Sequence, residues 1–71
     1  LKPGARIDRD QLIAMLQANG YVRSDTVADA GEFAVRGSLI DLYPSGLAHA
    51  LRLDFFGDEI ESVRAFDPAD Q

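Results

Sequence analysis

The run Leu51-Arg52-Leu53-Asp54-Phe55-Phe56 limits what this chain can fold into more than any other stretch. Side chains on a β-strand point to opposite faces with a period of two. Leu51, Leu53 and Phe55 are therefore expected to face an interior, with Arg52, Asp54 and Phe56 facing away from it. A ring on the outward side, on the same strand as an outward arginine, is more than the fold itself requires.

The flanking segments extend this into a sheet. Glu32 to Arg36 alternates, with Phe33 and Val35 inward and Glu32, Ala34 and Arg36 outward, and Gly37 interrupts as a tight turn or a bulge. Ser38 to Tyr43 sets Ile40 and Leu42 on one face and Leu39, Asp41 and Tyr43 on the other. Pro44-Ser45-Gly46 breaks that strand, and the loop runs to about His49. After the strand Ala50 to Phe56, Gly57-Asp58 marks a turn. Glu59 to Phe66 continues as a strand, but Ile60, Val63 and Phe66 do not alternate, so either a bulge lies near Glu61-Ser62 or the element is irregular.

Upstream, Leu1 to Arg6 is a lead-in segment with a Pro3-Gly4 turn. Asp8 is a good N-cap, Gln11 follows three residues on as in a capping box, and Ile7 can staple onto Leu12. Leu12, Ile13, Met15 and Leu16 give an apolar stripe, and Gly20 suits the left-handed position that ends a helix, which places the helix at roughly 9–19. Tyr21 to Arg23 reads as a short strand, and Ser24 to Ala30 as a loop with a brief extended piece around Thr26-Val27. The expected fold is α+β: a small antiparallel sheet, a meander of four to five strands, packed against one N-terminal α-helix.

Seventy-one residues make one domain, 1–71. The start at Leu1 and the close on Asp-Pro-Ala-Asp-Gln lead us to expect a piece of a longer protein. Without cysteine there is no disulfide, thiolate ligand or cysteine nucleophile. A net charge of −5 makes the chain a poor binder of nucleic-acid phosphates. Neither a long apolar run nor a leader pattern points to a membrane. His49, the single histidine, lies in a loop without a nucleophile turn, and it reads as a solvated side chain rather than part of a triad. Asp54, Asp58, Glu59 and Glu61 read as a solvated rim around a turn, since a chain this small has little room for the cleft that acid–base chemistry needs. The calcium-loop and phosphate-loop patterns are both missing. We expect no catalytic residue, no metal and no cofactor.

Arg36, Arg52 and Phe56 remain as outward candidates. If the strands 38–43 and 50–56 pair as a hairpin, Asp41 falls opposite Arg52, an exposed ion pair of the kind that contributes only about 0–1 kcal/mol. Arginine and aromatic residues also dominate binding hot spots. On alternation alone, a partner-binding patch and an incidental surface arrangement both stand open.

The stretches GEFAVRG, SLIDLYP and RLDFFGDEIESVRAFDP together resemble the second domain of the UvrB family. They resemble more closely the corresponding N-terminal module of the bacterial transcription-repair coupling factors (the Mfd family), and the closing FDPADQ is nearer to these than to UvrB. The likeness runs from Asp8 to the end of the chain, ungapped from Gly31 to Asp67. It implies a non-catalytic module that recruits UvrA in nucleotide excision repair. The parent would be a cytoplasmic, ATP-dependent DNA translocase. By motif, it implies UvrA contacts at Arg36, Arg52 and Phe56. Our own expectation, apart from the resemblance, is that Glu32, Asp41 and Asp54 are supports that orient the arginines in the free domain. The resemblance also implies that a C-terminal domain of the same parent chain covers this surface at rest. An intramolecular docking role, or UvrB domain 2 itself, is the alternative reading. The loop Ser45 to Ala50 is variable in type, and Gly57 stands where some relatives carry an acid.

Overall fold

The computed structural model describes residues 3–70, with the side chain of Asp70 left aside. Leu1 and Lys2 of the lead-in and Gln71 of the closing FDPADQ lie outside the described residues. Helix α1 (Arg9–Ala18) precedes five strands, β1 (Val22–Arg23), β2 (Glu32–Arg36), β3 (Leu39–Leu42), β4 (Ala50–Phe56) and β5 (Glu59–Phe66), and a 3-10 turn at Pro68–Asp70. The strands lie side by side in chain order, and the α+β class holds.

The helix starts where the Asp8 carboxylate accepts the backbone N–H of Asp10 at 2.8 Å and of Gln11 at 3.4 Å. Those bonds satisfy two of the four donors that every helix start leaves without a partner. Leu12 and Leu16 are buried and Ile13 packs against the same cluster. Met15, expected in the stripe, is 46% exposed. It sits about 100° around the helix from Leu16, off the side facing the sheet. Asn19 caps the end, its side-chain amide donating to the Met15 carbonyl at 2.8 Å.

Two tight hairpins follow from two glycines. Arg36 pairs with Leu39 across Gly37-Ser38, and Phe56 pairs with Glu59 across Gly57-Asp58. Gly37 and Gly57 have φ of +56° and +62°, and no non-glycine residue has positive φ among those described. A positive φ at the first loop residue alone is the II′ pattern, whose twist matches that of the flanking strands. One face of the sheet closes over α1 through Leu12, Leu16, Phe33, Ile40, Leu42, Leu53, Phe55 and Ile60. The non-alternating β5 is explained by a bulge. Asp54 pairs with Ser62 but Phe55 with Ile60, so Glu61 is an extra residue, and Ile60 and Val63 both turn toward the core.

Not every pair is antiparallel. β1 runs parallel to β2, with Val22 opposite Glu32 and Arg23 opposite Phe33, so the sheet is mixed rather than a pure antiparallel meander. A parallel pair needs a crossover rather than a hairpin. Here residues 24–31 supply it and bury Val27 completely against Ala34 and Ala50, with Tyr43 and Phe66 beside them. The extended piece expected around Thr26-Val27 is thus a loop with one buried anchor.

Glu32 fastens that loop. Its carboxylate accepts the N–H of Ala28 and of Asp29, each at 2.9 Å, and these bonds hold its pKa below the ordinary 4.5. A carboxyl depressed in the folded state contributes stability that is present above its unfolded pKa and lost as pH falls through the folded one. The urea midpoint of the parent should therefore exceed that of Glu32→Gln at pH 7, and the gap should shrink below pH 4.5 as the carboxyl takes up its proton. A gap unchanged between pH 7 and pH 3 would contradict this role.

Candidate functional site

The face opposite α1 is built in cross-strand rows. Ala34, Asp41, Arg52 and Arg64 stand opposite one another in turn on β2, β3, β4 and β5. Arg36, Leu39, Asp54 and Ser62 form the next row. The hairpin register expected from the sequence is the one observed: Asp41 lies opposite Arg52.

The pair is not a surface ion pair of the expected kind. Asp41 is only 1% exposed and serves two arginines at once. Arg52 donates Nε to Asp41 Oδ1 at 2.8 Å and Nη2 to Oδ2 at 3.1 Å, a two-pronged grip. Arg36 Nη2 donates to the same Oδ2 at 2.8 Å. The carboxylate is enclosed because it sits on a central strand, with the Ala34 and Arg52 positions flanking it. Removing a carboxylate from water costs several kcal/mol unless its lone pairs are filled, and three charge-assisted bonds fill them. The Arg52 guanidinium also lies over the Phe66 ring, 4.6 Å from its centroid, a contact worth about 0.5–1 kcal/mol where solvent reaches it. The hydrogen bond to Asp41 pushes the pKa of Arg52 further above its ordinary value, against the opposing effect of burial. Arg52 thus keeps its charge, and both arginines keep an accessible side, with side-chain exposures of 43% for Arg36 and 24% for Arg52.

Phe56 ends β4 on the same side as Arg52, since Leu53 and Phe55 between them are buried against α1. The residue is 65% exposed. At about 3.3 Å per residue it lies roughly 13 Å along the strand from Arg52, so the ring flanks the arginine pair rather than touching it. It borders a shallow depression of about 350 Å³ with Arg6, Asp58, Glu59 and Glu61. Arg6 there pairs with Asp58 at 3.2 Å and with Glu59 at 3.5 Å.

Of the three expected supports, one occupies that role. Asp41 orients both arginines. Glu32 spends its carboxylate on the 28–29 backbone instead, because the crossover loop returns beside it. Asp54 accepts from Ser38 Oγ at 3.3 Å, one row removed from Asp41. Phe66, the ring against Arg52, escaped the sequence reading because β5 does not alternate. The signal that would have found it is its register opposite Ala50. Among the described residues, no cluster of His, Cys, Asp or Glu is arranged to hold a metal ion, and no helix is long and apolar enough to cross a membrane.

A two-layer domain that carries fixed arginines and an uncovered ring on its sheet face belongs to the class of interaction modules. The chain matches the UvrB interaction domain over residues 1–71, and it belongs to that family. It is 49% identical over 67 residues to the transcription-repair-coupling factor of Escherichia coli K12, covering 94% of this chain and 6% of that protein. It is 41% identical over 71 residues to the transcription-repair-coupling factor of Bacillus subtilis, covering all of this chain and 6% of that protein. Against the UvrABC system protein B of Chlorobaculum tepidum the identity is 46% over 68 residues, covering 96% of this chain and 10% of the relative. The chain therefore spans a small fraction of the relatives it matches.

The geometry ranks the two arginines. Arg52→Ala leaves the buried carboxylate with one bond and uncovers Phe66, and it should cost about 2–3 kcal/mol in urea unfolding. Arg36→Ala leaves the two-pronged grip of Arg52 in place, and it should cost about 1 kcal/mol or less. Equal losses, or the reverse order, would contradict the shared-carboxylate arrangement.

Proposed function

We propose that this domain is a non-catalytic adaptor that docks on UvrA. The observation that carries the reading is the Asp41 carboxylate holding Arg36 and Arg52 together on one accessible face, with the ring of Phe56 uncovered on the same side. Two guanidiniums already fixed in place give up less conformational freedom on binding than free side chains do. They would meet carboxylates on UvrA, with Phe56 buried as the apolar anchor. Filling a partner's pocket with one phenyl ring is worth about 1.5–3 kcal/mol. The likeness to coupling factors and to UvrB, which share this module, supports UvrA as the partner.

Under this reading the longer parent is a cytoplasmic, ATP-dependent DNA translocase of the coupling-factor type. It brings UvrA to lesions where RNA polymerase has stalled. A C-terminal domain of that parent covers the arginine face until UvrA is needed. Contact with nucleic acid falls to other parts of the parent, in keeping with the charge of −5 on this chain.

Titration of this chain against UvrA by calorimetry tests the proposal. The parent sequence should bind in trans, and Arg52→Ala and Phe56→Ala should each weaken binding by about tenfold or more. Variants that bind as tightly as the parent would end it. Binding only to another domain of the longer parent, and not to UvrA, would favour the intramolecular role instead.

A further inference from the structure

Arg64 stands directly opposite Arg52 on the neighbouring strand. Side chains directly opposite in an antiparallel pair have Cβ atoms about 4.5–5.5 Å apart, and like charges there repel. The sheet tolerates this juxtaposition without compensating for it. Both oxygens of Asp41 are taken by Arg52 and Arg36, and among the described residues no carboxylate lies within ion-pair distance of Arg64. Arg64 is exposed.

Its direction is set by the β5 bulge. The extra residue at Glu61 turns Ile60 and Val63 together toward the core, which leaves Ser62, Arg64 and Phe66 on the opposite side. A regular strand could not have kept both apolar residues inside and also placed Arg64 beside Arg52. Arg9 and Arg23 also lack an acidic partner among the described residues. Arg9, however, starts α1 and donates to the Gly37 carbonyl, and Arg23 pairs in register with the buried Phe33 and so lies toward the helix side. In a chain with twelve acids and seven bases, three of the six arginines share one face.

We propose that Arg64 is a third cationic contact of the docking face, placed so that a carboxylate of the partner sits between its guanidinium and that of Arg52. The inference rests on the docking reading above and extends the surface across β4 onto β5. An acidic protein surface supplies the counter-charge that the domain withholds from Arg64. The partner's carboxylate then removes the cross-strand repulsion, so the contact forms only in the complex.

The test combines binding to UvrA with thermal unfolding for the parent, Arg64→Gln, Arg64→Glu and Arg52→Ala. Arg64→Gln keeps the stem and removes the charge. It should melt at or above the parent temperature while binding about fivefold or more weakly, and Arg64→Glu should bind more weakly still. If Arg64→Gln binds within about twofold of the parent while Arg52→Ala does not, Arg64 is a bystander and the docking reading stands without it. A loss of binding that tracks a fall in melting temperature would make Arg64 structural and overturn the inference. If the parent fails to bind UvrA, the inference and the docking reading fall together.

Discussion

The buried carboxylate of Asp41 is the constraint on which the rest of the sheet face depends. A lone aspartate at 1% exposure would be costly, and its cost is offset only while three guanidinium hydrogens fill its oxygens. The consequence runs outward from the interior. Two side chains that would otherwise sample many rotamers are held to one place, with part of each still accessible. Asp41 offers nothing to a partner itself, yet it decides where the accessible charge stands.

The two faces of the sheet do different work. Against α1 the interior is apolar and continuous, and it carries the fold. On the other side the crossover loop presses Val27 onto Ala34 and Ala50 and covers one end of the row that holds Asp41, while the side chains of Arg36 and Arg52 stay accessible. The ring of Phe66 joins the two regions, packed beside the Val27 cluster and lying under the Arg52 guanidinium. Glu32 fastens the loop by accepting the backbone N–H groups of residues 28 and 29. The proposed docking face is the part of the sheet that this loop leaves accessible.

Much of this was legible before any coordinates. The strict alternation of β4, the Asp8 cap and the two glycine hairpins each follow from local chemistry, and the Asp41–Arg52 register follows once the hairpin is assumed. The failure of β5 to alternate pointed to a bulge, which is found at Glu61. What stayed hidden depends on contacts far apart in the chain. A strand as short as Val22–Arg23 carries no pattern from which a parallel pairing could be read, and that pairing rests on where Val27 is buried. The exposed position of Met15, the employment of Glu32 away from the arginines and the side taken by Arg64 were likewise decided by packing rather than by spacing. The enclosure of Asp41 was missed because alternation assigns a face without saying what covers it.

The central claim is that an inaccessible carboxylate positions the binding arginines, and the affinity of Asp41→Asn for UvrA tests it most directly. Asparagine keeps the shape and one oxygen but surrenders the charge that grips both guanidiniums. With the chain still folded by circular dichroism, the account predicts binding weakened by about fivefold or more, on the order of 1 kcal/mol, although a partner cannot reach the altered residue. Unchanged or tighter binding by the folded variant would show that the arginines need no such positioning, and it would contradict the account.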